Sequence, residues 1–172
     1  SDSRKNIQPF FFFFWLGNLA IAHNGNLTNS KSFIHDLVDA GAIFQTTSDT
    51  EVILHLIARS RKSDQIDQIK EAISKVKGAY SLVILTDDKL IATRDPLGIR
   101  PLCIGKLNGS FIVTSETCAL DINSAELIRE VEPGEIIVID RNSLITNEIK
   151  SFKISESITR STTPATSESR RI

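Results

Sequence analysis

Methionine is absent from this chain of 172 residues, and Trp, Tyr and Cys are scarce, at one, one and two copies. Two cysteines are too few for a disulfide scaffold and fit a reducing, cytoplasmic setting. In that setting the Asn26-Leu27-Thr28 and Asn108-Gly109-Ser110 sequons read as accidental. The missing Met, initiator included, is compatible with a processed start or a fragment. Charge of one sign is lacking too. A net charge of −1 offers no electrostatic support for nucleic acid or an acidic membrane as partner. Long apolar runs are also absent. The longest, Phe10 to Leu16, is far short of the roughly 20 residues a membrane helix needs, and Gly17-Asn18 ends it. No basic segment and cleavage site of the secretory kind accompanies it.

What is present suits one globular domain. A 41% apolar content is enough for a core. Phe33, Ile34, Leu37 and Val38 recur at helical spacing after an Asn29 or Ser30 cap, and Gly41 stops that helix. Val52, Ile53, Leu56 and Ile57 predict a second helix, begun by a Ser48–Glu51 capping box. Ile66, Ile69, Ile73 and Val76 predict a third, ended by Gly78. From Ala79 onward the pattern becomes strands. Tyr80 to Thr86 and Lys89 to Arg94 flank Asp87-Asp88. Leu102 to Leu107 and Ser110 to Ser115 flank Asn108-Gly109, a strong hairpin signal. Glu135 to Asp140 follows the Pro133-Gly134 turn. Arg94 to Pro101 reads as a rigid turn shaped by its charges and fixed φ angles. Ser161 to Arg171 has no apolar periodicity and reads as a disordered tail.

Two short segments carry chemistry. An apolar strand, Leu19 to Ala22, runs into His23-Asn24-Gly25. A side-chain amide at Asn24 beside a Gly25 N–H supplies two convergent donors, the minimum for stabilising an oxyanion. Asp49 falls at the first turn of the second helix, where a carboxylate can hold a substrate ammonium. Each motif also has a bland reading: Asn-Gly as a tight turn, Ser48 to Glu51 as a cap. His23 alternates away from Asn24 and reads as structural, while His35 and His55 read as surface or packing residues. Cys103 and Cys118 read as buried, inert thiols.

Taken together, AHNGNL (22–27), FQTTSDTE (44–51), KGAYSLVIL (77–85), ATRDPLGIRPLCIG (92–105), TSETCALD (114–121) and REVEPGE (129–135) resemble the glutaminase domain of the amidophosphoribosyltransferases. These are type-2 glutamine amidotransferases and N-terminal-nucleophile hydrolases. The resemblance runs from about Asn6 to Asp140. It implies an α+β fold, a four-layer αββα sandwich, incomplete here at the N-terminus. Residues 6–154 would be a partial amidotransferase domain, 1–5 a truncated start and 155–172 a disordered tail, with no phosphoribosyltransferase domain. It also implies glutamine as substrate, no cofactor in this chain, and the rest of the enzyme or a second copy as partner.

By the same resemblance, Asn24 and Gly25 form the oxyanion hole and Asp49 binds the substrate ammonium, all three lining one cleft. Family enzymes attack glutamine with an N-terminal Cys whose own amino group is the base. Ser1 stands only 23 residues before Asn24, too close for that role, and Arg4 is too close to be the carboxylate-binding Arg. The isolated chain is therefore expected to be inactive, and a non-catalytic remnant that folds and at most binds a partner is the alternative. An uncovered Phe10–Phe14 edge would favour aggregation.

Overall fold

The computed structural model describes residues 7–14 and 17–154. The expectations for Ser1, Arg4 and the 155–172 tail fall outside the described residues. Nine strands and five helices are formed within them. Strands β1 (Phe10–Phe14), β2 (Gly17–Leu27), β3 (Gly78–Thr86), β4 (Leu90–Arg94), β8 (Glu135–Ile139) and β9 (Lys150–Lys153) make a six-stranded sheet in that order. All its pairings are antiparallel. Strands β5 (Cys103–Leu107), β6 (Ser110–Thr114) and β7 (Glu126–Glu130) make a smaller sheet with β5 central.

Strand alternation sorts the apolar residues into two cores. Leu19, Ile21, Leu82, Ile84, Ile91, Ile136 and Val138 face helices α1 (Ser30–Asp39), α2 (Thr50–Arg59) and α3 (Gln65–Lys75), meeting Leu37, Val52, Ile53, Ile69 and Ile73. Ala92, Ile137 and Ile139 face the other way and pack on Ile104, Leu102 and Val131 of the small sheet and its flanks. β8 is accordingly buried along its whole length, which explains the unbroken apolar run Ile136 to Ile139. The short helix α4 (Cys118–Ile122) lies on the far side of the small sheet, where Leu120 fills the space a side chain at Gly105 would need. The layer order is therefore the expected αββα, with the last layer reduced to little more than one turn.

The hairpins form as expected. Asn108 and Gly109 both have positive φ, 50° and 83°, as a two-residue turn of the I′ kind requires. Short elements escaped the sequence reading: α4, β7, α5 (Arg141–Thr146) and β9. Three local expectations fail. Asn24-Gly25 is no turn, because β2 continues unbroken to Leu27 opposite Gly78. Ser48 and Glu51 form no capping box; the Glu51 carboxylate accepts instead from the Gln45 and Thr46 amides, each at 2.8 Å, and from the Thr46 hydroxyl. Asn29 gives α1 no side-chain cap, since its amide is spent on Lys75 O and the Lys77 amide.

β1 is the edge of the large sheet. Phe10 and Phe12, paired with Ile21 and Leu19, turn into the helix-facing core. Phe11 and Phe13 lie on the opposite face and are 69% and 83% exposed.

Candidate active site

The segment His23 to Leu27 is the part of β2 that β1 does not reach, because β1 pairing stops at Phe10 opposite Ile21. Its register with β3 runs without a break from Leu19–Thr86 to Leu27–Gly78. Antiparallel pairing alternates backbone groups between the two edges of a strand. The Thr28 amide donates toward β3, to Lys77 O. The odd-numbered amides therefore point to the unpaired edge, and each neighbour of Gly25 there has a partner. The His23 N–H donates to Gln8 Oε1, and Gln8 Nε2 donates to His23 O at 2.9 Å, so one side chain imitates a strand. The Leu27 N–H donates to Asp49 Oδ2 at 2.7 Å. The Gly25 N–H lies between these two on the same edge.

Gly25 is required by the sheet itself. At φ 151°, a Cβ here would lie 2.0 Å from Ala79 O and 2.7 Å from Tyr80 Cα. Gly78 across the ladder is its counterpart, with φ 144° and only 2.2 Å between its would-be Cβ and Asn26 O. Close approach of strand to strand is the first reason for this glycine.

Asp49 occupies the N-cap position of α2 but makes no side-chain cap hydrogen bond to the helix. Its carboxylate is turned onto the strand, where Oδ1 lies 3.3 Å from His23 Nδ1 and Oδ2 binds the Leu27 amide. Burial alone would push this carboxyl up, but the bonds from His23 and Leu27 outweigh it and hold the group below its ordinary value. It is a carboxylate at neutral pH.

The structure thus brings Asp49 and Gly25 to one strand edge. Asn24 directly precedes Gly25, yet alternation places its side chain on the face opposite His23 and Leu27, where it is exposed. A cleft between β1 and the loop before α2, lined by Phe10, Phe11, Phe12, Phe44, Gln45 and Thr46, opens nearby. Cys103 and Cys118 lie on β5 and α4, where they line a different cleft with Glu116 and Glu130. Cys103 is buried and its thiol is pushed up by burial and by Glu130, as expected of an inert thiol. Cys118 is exposed, contrary to expectation.

The turn from Arg94 to Pro101 is built around Asp95, which is fully buried. Its carboxylate accepts from the Leu97, Ile99 and Arg100 amides. Arg94 donates to Gly98 O, Arg100 O and Val131 O, so this segment is scaffold. His35 is exposed beside Asp39, and His55 packs on the Phe44 ring at 4.6 Å. His23, expected to be structural, is buried and touches Asp49. Parity puts His23, Gly25 and Leu27 on one face of one strand, and the Asp49 contact comes to it from the N-cap of α2. Among the described residues no group of three or more acidic, His or Cys side chains could hold a metal. None of the helices there is long and apolar enough to cross a membrane.

The chain is similar to known proteins over most of its length. The glutamine amidotransferase domain family matches residues 1–121. Amidophosphoribosyltransferase of Rhizobium etli is 52% identical over 136 residues, covering 79% of this chain and 27% of the relative. The Bacillus subtilis enzyme of the same name is 46% identical over 158 residues, covering 91% and 32%. The solved B. subtilis glutamine phosphoribosylpyrophosphate amidotransferase, complexed with ADP and GMP, superposes with a TM-score of 0.81 at 45% identity, covering 87% of this chain and 32% of that one. The chain spans about a quarter to a third of the length of these relatives.

Proposed function

This chain belongs to the glutamine amidotransferase domain family, and on that premise we propose that it is the glutaminase part of an amidophosphoribosyltransferase. That part releases ammonia from glutamine for 5-phosphoribosylamine formation, the first step of de novo purine synthesis. Residues 6–154 are the amidotransferase portion. Glutamine is the substrate, with its α-ammonium on Asp49. The Gly25 N–H at the open edge serves the amide oxygen as it becomes an oxyanion, and the Asn24 amide reaches that oxygen from the exposed face of the strand, each such donor being worth about 2.7–4 kcal/mol to the transition state. The observation that carries this reading is the Asp49 carboxylate, drawn off the helix it should cap and held on the strand edge beside the Gly25 amide.

The reading includes inactivity in hydrolysis for the 172-residue chain by itself, supported by the absence of both cysteines from the cleft beside this edge. Loss of a nucleophile lowers turnover about 10⁶-fold in well-studied hydrolases, and an oxyanion hole alone retains only about 10³–10⁴ over water. Purified chain incubated with glutamine should release no ammonia above the uncatalysed rate. Titrating glutamine into labelled chain should shift NMR signals of residues 24–27 and 49. Ammonia release that Asn24→Ala abolishes would overturn the inactivity. Shifts confined elsewhere, or none, would overturn the site.

A further inference from the structure

His23 is buried, yet its surroundings are wrong for a residue that only fills the core. Its Nδ1 faces two oxygens, Asp49 Oδ1 at 3.3 Å and Thr50 Oγ1 at 3.0 Å. Its Nε2 is buried without a hydrogen-bond partner among the described residues. A carboxylate can only accept, so its presence assigns a proton to Nδ1, and Nε2 is the nitrogen left without a partner. An apolar side chain of similar size would avoid that orphan. Asp49, meanwhile, forgoes the amide bonds that an N-cap aspartate ordinarily makes to its own helix. Both departures have one common product, a carboxylate fixed in direction by a donor on each oxygen. The Leu27 amide holds Oδ2 and the imidazole holds Oδ1. Thr50 Oγ1, on the same nitrogen, is itself steadied by a hydrogen bond from Ser48 Oγ. A carboxylate offers about four lone-pair sites, so two donors orient it and still leave room for an incoming ammonium.

We propose that His23 is a positioning residue for substrate binding, holding Asp49 at the open edge of β2 so that its free lone pairs meet the α-ammonium of glutamine. The inference rests on the glutaminase reading above. His23 touches no reacting atom; it acts through Asp49. The required feature is one N–H donor at the place of Nδ1, which the carboxamide of asparagine can also present.

The test uses the full chain carrying Phe11→Lys and Phe13→Lys on the solvent face of β1 to keep it dispersed, and glutamine as the probe. His23→Ala should weaken glutamine binding about tenfold, the scale of one hydrogen bond to a charged group, and His23→Asn should restore most of it. Asp49→Asn should abolish it. If Asp49→Asn abolishes binding and His23→Ala leaves it unchanged, the positioning role is overturned and the site stands. If Asp49→Asn binds as the parent does, the ammonium site is overturned instead. A second readout needs no ligand. The Asp49 carboxyl, followed by carbon NMR against pH, should titrate higher in His23→Ala and return in His23→Asn. An unchanged titration in His23→Ala would also overturn the inference.

Discussion

Replacing Gly25 by alanine should unfold this protein more effectively than any loss of substrate contact could explain. Ordinary contact begins at about 3.4 Å, and the new Cβ would meet Ala79 O at 2.0 Å, so the β3 carbonyl would have to retreat by about 1.4 Å. That carbonyl belongs to a ladder of nine consecutive residue pairs and cannot move alone. Backbone strain at φ 151° adds about 1–3 kcal/mol. Overpacking of a well-filled site adds typically about 1–3 kcal/mol. Together these give about 4 kcal/mol. Gly109→Ala is the internal control, since φ is 83° there but nothing lies within 4 Å. It carries only the left-handed penalty of about 1–2 kcal/mol. Urea unfolding followed by circular dichroism reads the difference. At a slope of about 1–3 kcal/mol per molar, the Gly25→Ala midpoint should fall by about 2 M, well beyond that of Gly109→Ala. Equal midpoints for the two variants would refute the argument that strand approach, and not only ligand approach, demands this glycine.

Other consequences can be measured separately. Phe11→Lys with Phe13→Lys should raise the soluble fraction, because both rings stand exposed on an unpaired edge; a wild-type chain that stays monomeric at high concentration would remove the reason for the change. Glu135 should dominate acid sensitivity. Arg129 donates to both its oxygens at 2.8 Å, Ser151 and the Glu132 amide add two more bonds, and despite burial its carboxyl is brought down to about 2 from an ordinary 4.5. Because the folded value is the lower one, this stabilisation is complete above about pH 4.5 and is lost as pH falls toward 2, with a ceiling of about 3 kcal/mol. Glu135→Gln should flatten that acid limb, and an unaltered limb would contradict it. Asp95→Ala should lower stability by about 3 kcal/mol or more, since three amides lose one buried acceptor; a thermal midpoint within a degree of wild type would rule this out.

Legibility from sequence followed the range of the interactions. The Asn108-Gly109 hairpin and α1 to α3 depend on neighbours a few residues away, and periodicity or turn chemistry found them. Ser48 and Glu51 show a local pattern overruled. The capping-box spacing is there, but the Gln45 and Thr46 amides compete for the same carboxylate and win it. Asn29 loses its capping role in the same way, to the end of α3 and the loop after it, 46 to 48 residues further on. Parity assigns His23 to the face opposite Asn24, and that is the face it takes. Its partner arrives from α2, and strand parity cannot announce a contact made 26 residues later.

Asn24-Gly25 teaches most, because the dipeptide that usually turns a chain here extends one. The partner decides it: Gly78 stands across from Leu27 and lets the two backbones close up where side chains would forbid it. Strand continuation, in turn, creates the site. A turn would spend its amides on itself, and an interior strand would spend them on both neighbours. β2 beyond Ile21 has a neighbour on one side only, so its odd-numbered amides remain available on the other. Among the described residues two of the three positions are closed, by Gln8 at His23 and Asp49 at Leu27, and the one between is left. Under the proposed function that remaining amide is the oxyanion donor. Its spacing from Asp49 is then set by the pleat, two residues or about 6.6–6.8 Å along a strand. The distance between the group that binds the ammonium and the group that meets the amide oxygen is fixed by the sheet.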